Sequence, residues 1–379
     1  MSSGDPAGLG TTISADSAPA PLRARPPGLR RTRTSGDDSR SRALLRYLGV
    51  RLLLIPVTAW ILVTVVFFLM RVVGDPISAA MGGRMTQEQI EARKEAAGLN
   101  RPIRTQYRDY LSGLLHGDLG RSQDNREISE VVITYGAASL ELVCWALVVA
   151  FVIGIPLGRY AATHRDSAAD TTLRLLAILF YAAPVFFVGL LLKLVFAVRL
   201  GWLPVAGRAS TNVELRLQHV SPKTNIMVID AILYGDAGYL VDVLKHAVLP
   251  AVALGLLTAG IFLRLVRINL IQTLRADYVD AARARGLSRR VVTGRHAFRN
   301  AMIPIVTVMG MQIAMMLGAS VLTETTFEWK GLGYQFAQYL SARDFIAVQG
   351  IVAFIALIVA VMSFLVDVLV ALIDPRVRF

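Results

Sequence analysis

The chain has 379 residues, of which 54% are hydrophobic, and it carries a formal net charge of +13. So many apolar residues combined with so much basic charge argue against a soluble domain and are typical of bilayer segments separated by arginine-rich loops. The arginines flank apolar runs, so they indicate membrane topology and lipid contacts rather than a nucleic-acid partner. The single cysteine, Cys144, excludes an intrachain disulfide and a cysteine-based metal site.

The N-terminal segment, residues 1–45, is rich in Ser, Pro, Gly and Arg and shows no apolar periodicity. Such a segment cannot bury enough apolar surface to offset its chain entropy, which predicts a disordered tail. Residues 46–379 are predicted to form one membrane domain. The arginines of the tail precede the first apolar run and therefore favour a cytoplasmic N-terminus.

Six apolar stretches are long enough to cross about 30 Å of hydrocarbon as α-helices. They cover residues 50–71, 137–158, 172–198, 246–267, 302–323 and 346–372. The predicted fold class is therefore an all-α integral membrane protein with six transmembrane helices. Both termini are expected in the cytoplasm, because short loops that are rich in arginine face that side.

The long outer loop, residues 72–136, contains two helix signals. Thr86 begins a capping box for a short helix. Pro102 opens a second helix, which carries Tyr107 and Tyr110 on its apolar face. This second helix is predicted to lie on the bilayer surface or against the outer ends of the spans.

The cytoplasmic loop between the fourth and fifth spans, residues 268–300, reads as a helix–turn–helix. The first helix is predicted to run to Arg285, because Gly286 can adopt the left-handed conformation that ends a helix. Ser288 is a suitable N-cap for the second helix.

A small-residue face at Ala281 and Ala282 would let a partner approach this first helix closely. The alternative is a basic amphipathic loop that rests on anionic lipid. Periodicity alone favours this alternative.

The order Asp280-Ala281-Ala282, then Gly286, then Ile303-Pro304 further on, resembles the EAA motif of ABC importer permeases. The resemblance implies a coupling helix that docks into a groove on a separate ATPase subunit. Asp280 stands where the motif has Glu and keeps the negative charge on a shorter side chain. The residues to which the resemblance assigns ATPase coupling are Asp280, Ala281, Ala282, Arg285, Gly286 and Leu287.

Other segments resemble the B-type permeases of dipeptide, oligopeptide and nickel importers, and the resemblance covers the chain from Arg46 onward. One departure is Lys330, which stands where that family usually has Pro. The segments concerned are Gly74-Asp75-Pro76, Gly117-Asp118-Leu119-Gly120, Arg199-Leu200-Gly201-Trp202-Leu203-Pro204 and Leu372-Ile373-Asp374-Pro375-Arg376.

The resemblance implies a type I ABC importer permease fold that forms half of a translocation pathway. The implied partners are a second permease subunit of similar fold, two ATPase subunits or domains and an extracytoplasmic substrate-binding protein. Peptides are the expected substrate, with nickel and haem as alternatives. The sequence contains no GxxxxGK[ST] phosphate loop and no catalytic constellation, so ATP hydrolysis is expected of the partners, and no cofactor or metal is expected.

An ion-gradient-driven secondary transporter is the alternative function, and it predicts spans interrupted by Gly or Pro together with paired intramembrane charges. Asp367 lies about two turns from the inner end of the sixth span and is predicted to pair with Arg264 or Arg267. Glu141 and Lys193 lie near outer span ends, where we expect their side chains to reach toward water.

The outer loop after the fifth span is expected to face the binding protein. The candidate residues there are Glu324, Phe327, Trp329 and Lys330. Trp329 is also expected at the membrane interface, where tryptophan is common.

Overall fold

The computed structural model describes residues 35–73, 86–96 and 100–373, and the regular structure of these residues is helical. The described residues from Leu44 onward belong to one compact unit. The helices in chain order are α1 (Ser35–Val73), α2 (Gln87–Ala96), α3 (Ile103–Leu115), α4 (Ile128–Thr163), α5 (Ala168–Ala182), α6 (Val185–Leu192, continued by the π-helical Lys193–Arg199), α7 (Thr211–Leu217), α8 (Met227–Tyr234), α9 (Ala237–Thr273), α10 (Asp277–Ala284), α11 (Arg289–Val291, the π-helical Val292–Phe298 and Arg299–Ala301), α12 (Ile303–Phe327), α13 (Leu332–Ser341) and α14 (Phe345–Ile373).

Helix α1 begins at Ser35, within the predicted tail of residues 1–45. The predicted tail residues 1–34 lie outside the described part of the chain.

Five of the described helices are long and apolar enough to span a membrane, namely α1, α4, α9, α12 and α14. The pair α5 and α6 passes the same test but bends by 104° at the break between them. The third span, predicted as one stretch over residues 172–198, is therefore broken. Pro184 explains the break, because proline disfavours the helical conformation at Ala183, which is extended with ψ of 130°.

Spans α4 and α9 pack backbone to backbone. A Cβ added at Gly154 would lie 2.7 Å from the carbonyl oxygen of Ala259, and one at Gly158 would lie 2.7 Å from that of Leu263. Only a residue without a side chain permits this approach. Small residues spaced four apart are a common means of helix association in membranes, where apolar side chains gain nothing by leaving lipid.

Helix α3 packs against the end of α1, which confirms the second of the two predicted positions. The ring of Phe67 lies 5.1 Å from that of Tyr107 and 5.4 Å from that of Tyr110, between ring centres. The Thr64 and Tyr107 hydroxyl oxygens are 2.6 Å apart. Tyr107 and Tyr110 of α3 thus pack against the first span.

Candidate functional site

Helix α10 has a defined start and a defined end. Asp277 and Asp280 lie in its first turn, where negative charge is favoured by the helix dipole. The helix ends in a Schellman motif, in which the Gly286 amide donates to the Arg283 carbonyl (2.9 Å) and the Leu287 amide to the Ala282 carbonyl (3.4 Å). Gly286 has φ of +76°, so the predicted left-handed stop is confirmed.

One side of α10 is fixed in the core of the chain. Val279 and Ala282 have no exposed surface and pack in a cluster with Ala162 at the end of α4, Leu270 of α9 and Val292 of α11. Because these contacts are fully buried, α10 is held to the ends of two spans as one body.

The predicted small-residue face therefore needs correction. Ala282 packs inside the chain and cannot contact a partner there. With a helical repeat of 3.6 residues, the side opposite Val279 and Ala282 carries Asp277, Ala281 and Ala284, all exposed. Two adjacent alanines give periodicity little to choose between, so the packing of Val279 decides that Ala282 is the buried one.

Helix α11 follows directly after the turn. Ser288 is its N-cap residue with an extended backbone, which confirms the predicted start, although its side chain makes no capping hydrogen bond. Arg289 donates from Nη2 to the Thr163 carbonyl at 3.1 Å and so ties the start of α11 to the end of α4. A groove of about 360 Å³ remains between these elements, and Leu287 lines it.

The remaining predicted coupling residues lie at the surface. Arg285 is exposed and donates from Nε to the Ala281 carbonyl at 3.3 Å. Asp280 is exposed and accepts from Nη1 of Arg283 at 2.8 Å. The side chain of Leu287 is 39% exposed. The loop therefore offers a partner a mixed surface of acidic and basic side chains, alanines, Tyr278 and Leu287.

The charged residue that pairs with Arg267 is Asp170, which the sequence analysis did not single out. Arg267 donates from Nε and Nη2 to the two carboxylate oxygens, at 2.6 and 2.8 Å. The predicted partner, Asp367, lies outside the described side chains, and Arg264 is exposed. The sequence does mark Asp170 as part of a helix start, because it follows Ser167 by three residues. In the structure Ser167 caps α5 by accepting a hydrogen bond from the Asp170 amide.

At the other end of the bundle, the last turn of α12 and the residues directly after it are mostly buried. Glu324 and Trp329 have no exposed surface and Phe327 retains 2%. These three residues therefore do not form an exposed docking loop, and the Trp329 side chain faces the interior of the protein rather than its surface. Of the four predicted residues only Lys330 is exposed, and its Nζ contacts Glu214 at 3.0 Å.

The burial of this segment has a polar cause. The Glu324 carboxylate accepts from the Ser139 hydroxyl at 2.6 Å and from the Tyr334 amide at 2.9 Å. Trp329 donates from Nε1 to the Ala138 carbonyl at 2.9 Å. These bonds join the end of α12, the start of α13 and the middle of α4.

Glu141 is also buried, so the expectation that it reaches toward water is wrong. It accepts from Arg208 and from the amides of Met227 and Val228, at 3.0 and 2.9 Å. A carboxylate at a helix N-terminus satisfies amides that have no partner within the helix, so Glu141 attaches α8 to α4. Lys193 donates to the Thr326 carbonyl at 3.0 Å and so provides a hydrogen-bond partner for a backbone carbonyl in the last turn of α12.

Comparison with known proteins agrees with this architecture. The family described as "Binding-protein-dependent transport system inner membrane component" matches residues 154–379, and the corresponding N-terminal family matches residues 44–152. The di/tripeptide transport system permease protein DppB of Pseudomonas aeruginosa is 37% identical over 338 residues, which cover 88% of this chain and 99% of that protein.

Two further relatives share the same extent. The dipeptide transport system permease protein DppB of Escherichia coli K12 is 37% identical over 337 residues, covering 88% of this chain and 98% of that protein. DppB of Alkalihalophilus pseudofirmus is 33% identical over 329 residues, covering 86% and 97%. The chain is a multi-pass membrane protein that belongs to the inner-membrane permease components of binding-protein-dependent ABC transporters.

Proposed function

We propose that this chain is one of two permease subunits of an ATP-driven importer of short peptides, and that α10 docks on a separate ATPase subunit. The observation that carries the proposal is the two-sided character of α10. Its inner side is buried through Val279 and Ala282, whereas Asp277, Ala281 and Ala284 are exposed on the other side. Peptide as substrate is supported by the 37% identity to di/tripeptide and dipeptide permeases.

This arrangement can transmit movement. A displacement of α10 is passed to α9 through Leu270 and to α4 through Ala162, because close-packed contacts do not compress. Closure of two ATPase subunits would move two such helices together and thereby change the packing of the spans. The pathway would then alternate between its two access states.

The proposed orientation places α10 and both termini in the cytoplasm. The loop and the neighbouring span ends carry exposed arginines, which favour that side. The opposite end would then meet an extracytoplasmic binding protein, and Lys330 is the residue of the predicted outer set that is exposed to it.

The ion-gradient-driven alternative gains two features from the structure. The first is that the third span is broken at Pro184. It also predicted paired charges, and Asp170 and Arg267 form such a pair. Membership of a binding-protein-dependent family nevertheless decides against it, since those transporters work with a binding protein.

The test is assembly and coupling in purified material. The wild-type chain is expected to co-purify with an ATPase chain whose hydrolysis rate increases when peptide-loaded binding protein is added. The variant Ala281→Trp should keep normal membrane levels and lose most of this stimulation, because the added ring occupies the docking side. Asn300→Trp, an exposed position in α11, is the matched control and should stimulate normally. Full stimulation in Ala281→Trp, or absence of any co-purified ATPase, would refute the proposal.

A further inference from the structure

A cavity of about 290 Å³ lies at the end of the bundle opposite α10. The start of α4, the segment between α6 and α9, and Lys330 form its walls. Apolar contacts come from Leu217 and Met227. Its charged lining residues are Arg208, Glu214, Lys223, Asp230 and Lys330.

Two of these charged residues are fixed parts of the wall. The Arg208 side chain is 11% exposed, binds Glu141 and donates to the Asn225 carbonyl at 3.0 Å. Asp230 is 3% exposed and accepts from the Thr224 amide and hydroxyl at 2.8 and 2.7 Å. Glu141 and Asn225 thus hold the Arg208 guanidinium in place, although its buried Nε has no hydrogen-bond partner among the described residues, and Thr224 holds the Asp230 carboxylate.

The other three charges are available to a ligand. Lys223 is exposed and has no ion pair or hydrogen bond to any residue that the structure describes. Lys330 and Glu214 contact each other at 3.0 Å, with 53% and 28% of their side chains exposed. An exposed pair of this kind contributes little to stability, so a competing charge can replace either partner.

We propose that this cavity binds a small solute that carries both a carboxylate and an ammonium group. The ligand's carboxylate lies at Lys223. Its ammonium replaces Lys330 at Glu214, and the released Lys330 then contacts the same carboxylate. The inference rests on the proposed function, since both groups are the termini of a short peptide.

The size of the cavity limits the ligand. Ligand pockets commonly measure about 300–1,000 Å³. A cavity of about 290 Å³ therefore suits an amino acid or a dipeptide with small side chains. Leu217 and Met227 offer an apolar surface to a small side chain.

The test uses the full chain in nanodiscs, together with the subunits that co-purify with it and without binding protein. Calorimetry measures the affinity for alanyl-alanine, its C-terminal amide and its N-acetyl derivative. We expect each derivative to bind at least tenfold more weakly than the dipeptide. Lys223→Gln should weaken the dipeptide at least fivefold and leave the amide unchanged, whereas Glu214→Gln should weaken the dipeptide and leave the acetyl derivative unchanged.

The control is Lys245→Gln, an exposed lysine in α9 that does not line the cavity, and it should bind like wild type. Equal affinity for the three ligands, or no effect of either cavity variant, would overturn the inference. The proposed function would instead be refuted if no ATPase chain co-purified. Calorimetry measures the ligand affinities whether or not an ATPase chain is present, so the two failures can be distinguished.

Discussion

Arg267 on the fourth span binds Asp170 at the start of the third, through two hydrogen bonds of 2.6 and 2.8 Å. The carboxylate has no exposed side-chain surface and the guanidinium has 16%. Two parallel bonds of this kind fix orientation as well as distance. The pair therefore fixes the first half of the bent span to the span that carries α10 at its end.

Removal of one member of this pair should destabilise the protein. Asp170→Asn leaves Arg267 without a counter-charge, and breaking a buried ion pair typically costs about 3–5 kcal/mol. The thermal unfolding midpoint in detergent should fall clearly. The double variant Asp170→Asn with Arg267→Met should recover part of the loss, because no uncompensated charge remains.

The neighbouring exposed pair is the control for this experiment. Arg165 and Asp166 are 3.1 Å apart, with 43% and 72% of their side chains exposed. Asp166→Asn should change stability by less than about 1 kcal/mol. Equal midpoints for Asp170→Asn and Asp166→Asn would show that the buried pair does not hold the spans.

The close approach of spans α4 and α9 gives a second prediction. In Gly154→Ala the new Cβ would lie 2.7 Å from a backbone oxygen and 2.9 Å from the Phe262 Cβ. A backbone atom cannot move aside by rotation, so the spans must separate, at a cost of about 1–3 kcal/mol. The unfolding midpoint should fall.

Gly318→Ala is the matched control, since a Cβ at that helical position meets nothing within 4 Å. Alanine is favoured over glycine inside a helix by about 1 kcal/mol, so this variant should unfold at the same temperature or higher. A rise in the unfolding midpoint for Gly154→Ala would contradict the close packing of α4 against α9.

Much of the architecture follows from the sequence. Apolar length predicts the spans, because lipid requires a helix that satisfies its own backbone. The left-handed Gly286 and the N-cap Ser288 are local features, so their neighbours in the chain suffice to predict them. Pro184 also indicates a break in the third span. The apolar stretch on both sides of it is long enough for a single span, so the sequence analysis predicted one continuous helix.

The contacts between distant residues could not be predicted in this way. Ala281 and Ala282 are chemically identical, and only the packing of Val279 and Leu270 decides which of them is buried. The general preference of tryptophan for the membrane interface was the basis of the prediction for Trp329. In the structure its indole instead donates to a buried backbone carbonyl on α4. Which side chain is buried thus depends on contacts between residues that are far apart in the chain, and a single sequence does not reveal those contacts.

Membrane orientation is a third prediction, and Cys144 makes it simple to test because it is the only cysteine. In a Cys144→Ser background, single cysteines at the exposed Ser112 and Ser210 should react with an impermeant maleimide in intact cells. A cysteine at the exposed Ser288 should react only after the membrane is opened. Labelling at Ser288 in intact cells would reverse the proposed topology.

The last prediction concerns the turn that ends α10. Gly286 has φ of +76°, and a Cβ there meets nothing within 4 Å, so any effect of substitution comes from the backbone alone. A left-handed conformation costs an ordinary L-residue roughly 1–2 kcal/mol, and asparagine adopts it more readily than other residues with a Cβ. Gly286→Asn should therefore keep substrate-stimulated ATP hydrolysis near the wild-type rate. Gly286→Val should lose most of it while the chain remains in the membrane at normal levels, because a β-branched residue shifts the turn and with it the exposed side of α10. The comparison is made on purified complexes of equal subunit composition. If valine and asparagine give the same stimulated rate, the geometry of this turn has no part in coupling.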